Sequence, residues 1–275
     1  VEHRREEDTQ MSEASLAAGT SAQPECAAEA VPAARTEDTA RTRGRPRRHH
    51  LLTLGRFVGF AAAAITLVLF VLLHVLMARL SPLTATLSDY ALSPDRGIFN
   101  AGVLTLAAGS VFLLGPLALA RHGSHRDRHR QRPGRDRRRR QRDAVAVLAG
   151  VFFACWFVGL VVLTVFHRDP PGVPATASGE IHQWASVVAL VGLPLGAVLT
   201  AWRHRHLGTR RVFALAALCL AVLVPFVTAY LAGSPLRPYL GLLERVVALV
   251  EIALLLALGT VSLIARVPAP RPARG

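Results

Sequence analysis

The sequence predicts an all-α protein: a polytopic integral membrane bundle of six transmembrane helices, with both termini in the cytoplasm. Three observations carry this. Apolar types make up 52% of the 275 residues and charged types only 18%, whereas an ordinary soluble domain carries about 25% charge. Six apolar runs reach the roughly 20 residues that a helix needs to cross a bilayer. All 32 basic residues are Arg, and they gather in alternate connections between those runs.

The element order follows along the chain. Residues 1–50 read as a disordered cytoplasmic tail, rich in Ala, Glu, Thr, Ser and Pro and poor in large apolar side chains. Nine acidic residues fall in it up to Asp38, and the stretch then turns basic at Arg41. Its length and charge do not fit a signal peptide. The chain opens on Val1; a non-Met start codon would explain that, with Met11 as the other candidate start. The membrane domain occupies 51–266, with apolar runs at about 57–77, 98–120, 144–166, 181–202, 212–231 and 243–265. Each should be helical, because the bilayer core offers no water to satisfy backbone groups. Residues 267–275 form a short cytoplasmic tail. A soluble bundle is the competing reading, but a run such as 145–166 lacks the polar stripe that a soluble amphipathic helix shows at period 3.6.

Arginine placement sets the orientation. Stretches 41–56, 121–142, 203–211 and the tail after Ala265 hold six, eleven, four and three Arg, a total of 24 on one side. The other side holds Arg79, Arg96, Arg168, Arg237 and Arg245. Connections 78–97, 167–180 and 232–242 should therefore face outward. Tyr90, Trp184, Tyr230 and Tyr239 then fall near the outer boundary and Trp202 near the inner one, as an aromatic belt requires. Trp156, mid-span, reads as packing. The basic connection 121–143 lies beside anionic headgroups, where each Arg gains about 1 kcal/mol. Membrane lipids contacting 121–142 are thus the partner expected; no nucleic acid is invoked. His122, His125 and His129 within that run read as solvated. Cys26, Cys155 and Cys219 form neither a disulfide framework nor a zinc spacing.

Polar residues are scarce in the runs, so their positions carry information; an ionisable group inside a membrane is a functional candidate by default. They collect at the outer end: His74, then Ser88, Asp89 and Tyr90, then His167, Arg168, Asp169, Glu180 and His182, and finally Glu244 and Arg245. Glu251 lies two turns beyond Glu244 on the same face. The link from His167 to Glu180 contains three prolines and two glycines, a stiffened turn. Ser178 is the expected N-cap of the fourth helix, with Glu180 in its first turn. Asp169 and His182 either cap helices and pair with Arg168 or Arg245, or serve a ligand. His74 at a helix end can snorkel. Asp89 and Tyr90 either form a turn or belong to a site. Thr84, Thr86 and Ser93 read as ordinary loop residues. Gly102, Gly109 and Gly115 read as close helix packing, and Pro116, Pro194 and Pro225 as helix kinks.

Several of these pieces recur together. Leu87-Ser88-Asp89-Tyr90-Ala91-Leu92, Phe99-Asn100-Ala101-Gly102, Phe166 with Asp169-Pro170 and Gly172, Gly179-Glu180-Ile181-His182 and Gly241-Leu242-Leu243-Glu244-Arg245 stand in order on six predicted helices. The arrangement resembles the bacterial and archaeal six-span membrane proteins grouped as "domain of unknown function 998", over about residues 56–265. His167 departs from the pattern, which usually has Pro there, so it inherits no shared role. The resemblance implies an integral membrane protein and supplies no reaction.

The leading functional expectation is a non-catalytic multi-pass component of the bacterial plasma membrane. It would bind a lipid or a partner protein through the polar cluster His74, Asp89, Tyr90, Asp169, His182, Glu244, Arg245 and Glu251 at the extracytoplasmic face. One alternative is a metal-dependent membrane hydrolase for a lipid-like substrate, with His74, Asp89, Asp169 and His182 as metal ligands. Another is a proton-coupled transporter in which Glu251 titrates; the lack of an internal repeat counts against common carrier designs. The sequence assigns no cofactor and no catalytic residue.

Overall fold

In a computed structural model, residues 45–119, 133–170, 172–205, 208–230 and 234–264 are described. The chain divides into Val1–Arg45 and Pro46–Gly275, and the second unit holds the membrane bundle. Its elements are α1 (Arg45–Leu76), a 3-10 turn (Leu87–Leu92), α2 (Arg96–Leu119), α3 (Pro133–Val165), α4 (Ala177–Arg203), α5 (Arg210–Ala229), a short 3-10 turn (Arg237–Tyr239) and α6 (Leu240–Ile264). No strand occurs among the described residues.

Each apolar run becomes a helix, and five helices are long and apolar enough to cross a membrane: 53–76, 96–117, 140–165, 177–203 and 210–229. The sixth expected span is helical over Leu240–Ile264 but is not one of these five; it carries Glu244, Arg245 and Glu251. Two boundaries differ from expectation. Helix α1 begins at Arg45, inside the segment read as a tail. Helix α3 begins at Pro133, so the second half of the basic connection is helical, with Arg137 and Arg140 exposed. Arg and Gln are good helix formers, and a charged helix end can project from the bilayer. Residues 1–44, the His122–His129 stretch, Cys26 and the tail 267–275 lie outside the described residues.

Only 28–50% of each apolar span is buried inside the protein. Every one of these spans leaves apolar side chains outside the protein interior, among them the exposed Phe57, Val68, Val75, Val158 and Val224. A water-soluble fold does not expose apolar area on that scale. The chain is an integral membrane protein.

Small residues bring the helices together. A Cβ on Gly109 would stand 2.5 Å from the Ala62 Cβ, and one on Gly102 would stand 2.9 Å from Phe70, so α1 rests directly on α2. Thr66 Oγ1, fully buried, donates to Ala62 O at 2.9 Å and to Gly102 O at 3.1 Å. Gly115 has nothing within 4 Å of its Cβ position and plays no such part. Between α3 and α4, Gly159 lies against Ala189, and Gly192 against the backbone of Phe152 and Trp156. Such contacts replace the hydrophobic driving force that is lost in lipid. Trp156 is 1% exposed, in line with its expected packing role. Pro116, Pro194 and Pro225 all lie inside helices.

Candidate functional site

The first connection is held by charged groups from two other elements. Within it, the Thr86 backbone N–H donates to Asp89 Oδ2 at 2.6 Å, which closes the start of the 3-10 turn as an N-terminal carboxylate does for a helix. Asp89 Oδ1 then pairs with Arg168 Nη1 at 2.7 Å, with the two side chains 17% and 22% exposed. The same Nη1 donates to Thr86 Oγ1 and, at 3.2 Å, to Ser88 Oγ. All of Arg168's bonds run through this one nitrogen; its Nε and Nη2 meet no partner among the described residues. Glu244 Oε2 accepts the Leu87 N–H at 2.5 Å.

Arg245 secures the other end of the connection. Its Nη1 donates to Pro82 O (3.0 Å), Ala85 O (2.6 Å) and Gly241 O (2.8 Å). Its Nη2 donates to Tyr90 Oη at 3.2 Å, and its Nε to His74 Nε2 at 2.6 Å. The connection's backbone lies so close to the start of α6 that a Cβ on Gly241 would overlap Ala85 O. Tyr90, expected in the aromatic belt, is instead 1% exposed. It packs under the Arg245 guanidinium and beside the His74 ring, with centroids 5.4 Å apart. Trp184, Trp202, Tyr230 and Tyr239 remain at least two-fifths exposed, as a belt requires.

His74 has both ring nitrogens engaged. Nδ1 lies 2.6 Å from Phe70 O, an acceptor only, so Nδ1 carries the proton. Nε2 then accepts from Arg245 Nε. The ring serves as a bridge between α1 and α6, with no lone pair to spare.

Asp169 and His182 take separate partners around the α3–α4 turn, and neither is bonded to Arg245. Thr176 is the N-cap of α4: its hydroxyl accepts the Gly179 N–H at 3.2 Å. Asp169 takes the Thr176 N–H on Oδ2 at 2.8 Å and the Thr176 hydroxyl on Oδ1 at 2.7 Å. These two bonds, the backbone one foremost, hold the Asp169 carboxyl below the ordinary carboxylate range. A Cβ on Gly179 would overlap the carboxylate, so a larger residue there would displace it from Thr176. Ser178, the expected cap, instead joins the turn to itself by exchanging bonds with the His167 backbone at 3.0 and 3.1 Å. His182, 3% exposed, places Nδ1 2.9 Å from Phe166 O and 3.2 Å from Leu163 O. It satisfies two of the carbonyls left open at the end of α3, and Nε2 is left as its acceptor nitrogen.

The four residues proposed as metal ligands thus take separate partners: His74 with Arg245, Asp89 with Arg168, Asp169 with Thr176, and His182 with α3. Among the described residues no group of three or more His, Cys, Asp or Glu could hold a metal ion. Asp169 and His182 do cap helices, but their expected pairing with Arg168 or Arg245 is not made; Arg168 chooses Asp89. Arg168, expected only as a partner for Asp169 or His182, and Thr86, expected as an ordinary loop residue, are the central residues whose roles sequence reasoning missed. Thr86 is fully buried, and its only sequence signal is its place three residues before Asp89.

Beneath this cap lies a pocket of about 340 Å³. Its mouth is polar, with Arg168, Asp169, Glu180, His182, Tyr230 and Glu244; its depth is apolar, with Val187, Leu190 and Val191 from α4 and Leu223, Phe226 and Val227 from α5. Val187 and Val227 are also 37% and 47% exposed, so the pocket reaches the lipid-facing side of the bundle. Below it, Glu251 is 3% exposed and its Oε1 has no hydrogen-bond partner.

Fold and site define the class: a multi-pass helical membrane protein whose cap is sewn together by partly buried ions over an amphipathic pocket. Residues 136–261 match the family model described as Protein of unknown function (DUF998), the family that the sequence pieces resemble. The matched stretch runs through α3 to α6 and includes Asp169, His182, Glu244, Arg245 and Glu251; the pieces at 87–92 and 99–102 precede it. No curated protein and no solved structure matches the chain.

Proposed function

We propose that this protein is a non-catalytic component of the bacterial plasma membrane that binds a lipid-like molecule at its extracytoplasmic face. The observation that carries this reading is the pocket itself. One end is lined by ionised and hydrogen-bonding groups, the other only by aliphatic and aromatic ones, and its wall opens sideways through Val187 and Val227. A ligand that suits it has a polar head and an apolar tail, and its volume falls in the range of small-molecule sites, about 300–1,000 Å³. The Arg asymmetry supports an outward-facing cap and contact of 121–142 with anionic headgroups on the inner side. The Arg168–Asp89 ion pair, with the hydrogen bonds of Glu244 and Arg245, serves as a clasp that shapes the pocket mouth.

The test is to fill the pocket. Val187→Phe combined with Leu190→Trp occupies the apolar depth without touching the clasp. Purified protein should then lose co-purifying lipid about tenfold, as measured by native mass spectrometry, while its melting temperature in detergent is kept. Unchanged lipid retention in a folded variant overturns the reading.

A second reading has its own observation. Glu251 is buried in α6 with an oxygen lacking a partner, and such a group in a membrane helix favours a proton-coupled carrier. Under that reading Glu251→Gln abolishes pH-driven flux in reconstituted vesicles; identical flux from the variant removes it.

A further inference from the structure

Resting on the reading of the pocket as a lipid site, we propose that its ligand is a zwitterionic phospholipid bearing a primary amine, with its phosphate on Arg168 and its ammonium facing Glu180 and Glu244.

The argument begins with the spare capacity of Arg168. Its Nη1 is taken by Asp89, Thr86 and Ser88, which holds the guanidinium in one orientation. Nε and Nη2 point from the same planar group, meet no partner among the described residues, and belong to a side chain that lines the pocket. A guanidinium edge with two parallel N–H donors is the geometry that binds a phosphate bidentately. Because the other edge is already fixed, little side-chain entropy is lost on binding.

Charge balance then selects the rest of the headgroup. The pocket is lined by one Arg and three carboxylates, Asp169, Glu180 and Glu244. Both oxygens of Asp169 are occupied by Thr176, and Arg168 is already shared with Asp89. Glu180, exposed at the mouth, is left as acidic surplus, and Glu244, whose Oε2 takes the Leu87 N–H, keeps Oε1 as an acceptor. A phosphodiester with a neutral alcohol headgroup would add another negative charge beside that surplus, and like charges at short range are strongly disfavoured away from bulk water. An ammonium on the same headgroup removes the conflict, and its three N–H donors match carboxylate acceptors. A quaternary ammonium has no such donors. The apolar depth, with Leu190, Leu223 and Phe226, receives part of an acyl chain, so a soluble phosphoethanolamine would forfeit most of the burial.

The experiment uses the full chain in detergent, stripped of lipid and then offered equal amounts of phosphatidylethanolamine, phosphatidylglycerol and phosphatidylcholine, with bound lipid counted by native mass spectrometry. Phosphatidylethanolamine should be retained about tenfold over phosphatidylglycerol, with phosphatidylcholine between them. Glu180→Gln with Glu244→Gln should bring the three to parity, and Arg168→Gln should lower all of them. Gln at 244 keeps an acceptor for the Leu87 N–H; Glu180→Gln alone, at an exposed side chain, should shift the ratio the same way if the pair does not purify. The pocket-filling variant separates the two levels. If filling the pocket leaves retention unchanged, the lipid-site reading fails and this inference with it. If filling lowers retention but phosphatidylglycerol binds as well as phosphatidylethanolamine, or the Gln variants leave the ratio where it was, the headgroup assignment alone is overturned. Displacement of the lipid by equimolar soluble phosphoethanolamine would equally overturn it, since the ligand would then be the free headgroup.

Discussion

Arg245 holds Tyr90 in two ways: Nη2 donates to the phenol oxygen at 3.2 Å, and the guanidinium carbon lies 5.8 Å from the ring centre. The cation is thereby spread over an aromatic face, an imidazole and three backbone carbonyls. This is how a strongly basic group sits at the mouth of a membrane bundle with carbonyls rather than a carboxylate as its acceptors. It also explains why Tyr90 left the aromatic belt.

Replacing Arg245 with Lys keeps the charge and removes the planar fork. Lys has three donors on one atom and cannot reach His74, Tyr90 and the carbonyls together. We expect a loss of about 2 kcal/mol, read as a lower melting temperature in detergent, and faster proteolysis within 77–95. Tyr90→Phe, which loses a single bond and keeps the ring, should cost less, about 1 kcal/mol.

The Asp89–Arg168 pair ties the first connection to the α3–α4 turn. A double-mutant cycle with Asp89→Asn and Arg168→Gln should give a coupling of about 1–2 kcal/mol, because both side chains are mostly buried. Strict additivity would mean that the pair does not hold the cap together.

The Asp169 carboxylate fills the space that a side chain on Gly179 would take. Gly179→Ala should destabilise by about 1 kcal/mol by weakening the Thr176 cap of α4, since the new methyl displaces the carboxylate that holds Thr176. Asp169→Ala should likewise lower the melting temperature, through loss of both Thr176 bonds. The two together should cost clearly less than their sum, because the methyl then has nothing to displace. Thermal melts of the three variants check this.

Asp169 also predicts a pH dependence. Its carboxyl is held below the ordinary value of 3.8 in the folded protein. The ionised form is therefore the one that stabilises, in full above that value and fading as pH falls through the lower folded one. Wild type should be more heat-stable than Asp169→Asn at about pH 6, with the gap narrowing as pH falls below 3.8. A gap that widens on acidification would contradict the Thr176 contacts.

Much of the architecture was legible in the chain. Each run without a polar stripe became a helix, because burying backbone amides in lipid leaves no other choice. The connections 78–97 and 167–180 and the start of α6 also held the polar residues that the structure groups together. Details that depend on a turn's path were not legible. Ser178 and Thr176 are both good caps by type; only the fold of the proline-rich link decided that Thr176 takes the role while Ser178 bonds to His167. Thr86 looked like any loop residue until the connection folded over it.

Composition, apolar run length and arginine bias by themselves determined a helical membrane protein, since those properties are additive along the chain and need no knowledge of neighbours. Partner choice was decided only by tertiary structure: Arg168 with Asp89, Arg245 with His74 and Tyr90, Asp169 with Thr176, and the pocket they roof. The physical reason is reach. A hydrogen bond or ion pair acts over about 3 Å, and residues far apart in the chain come within that distance only when the helices have packed.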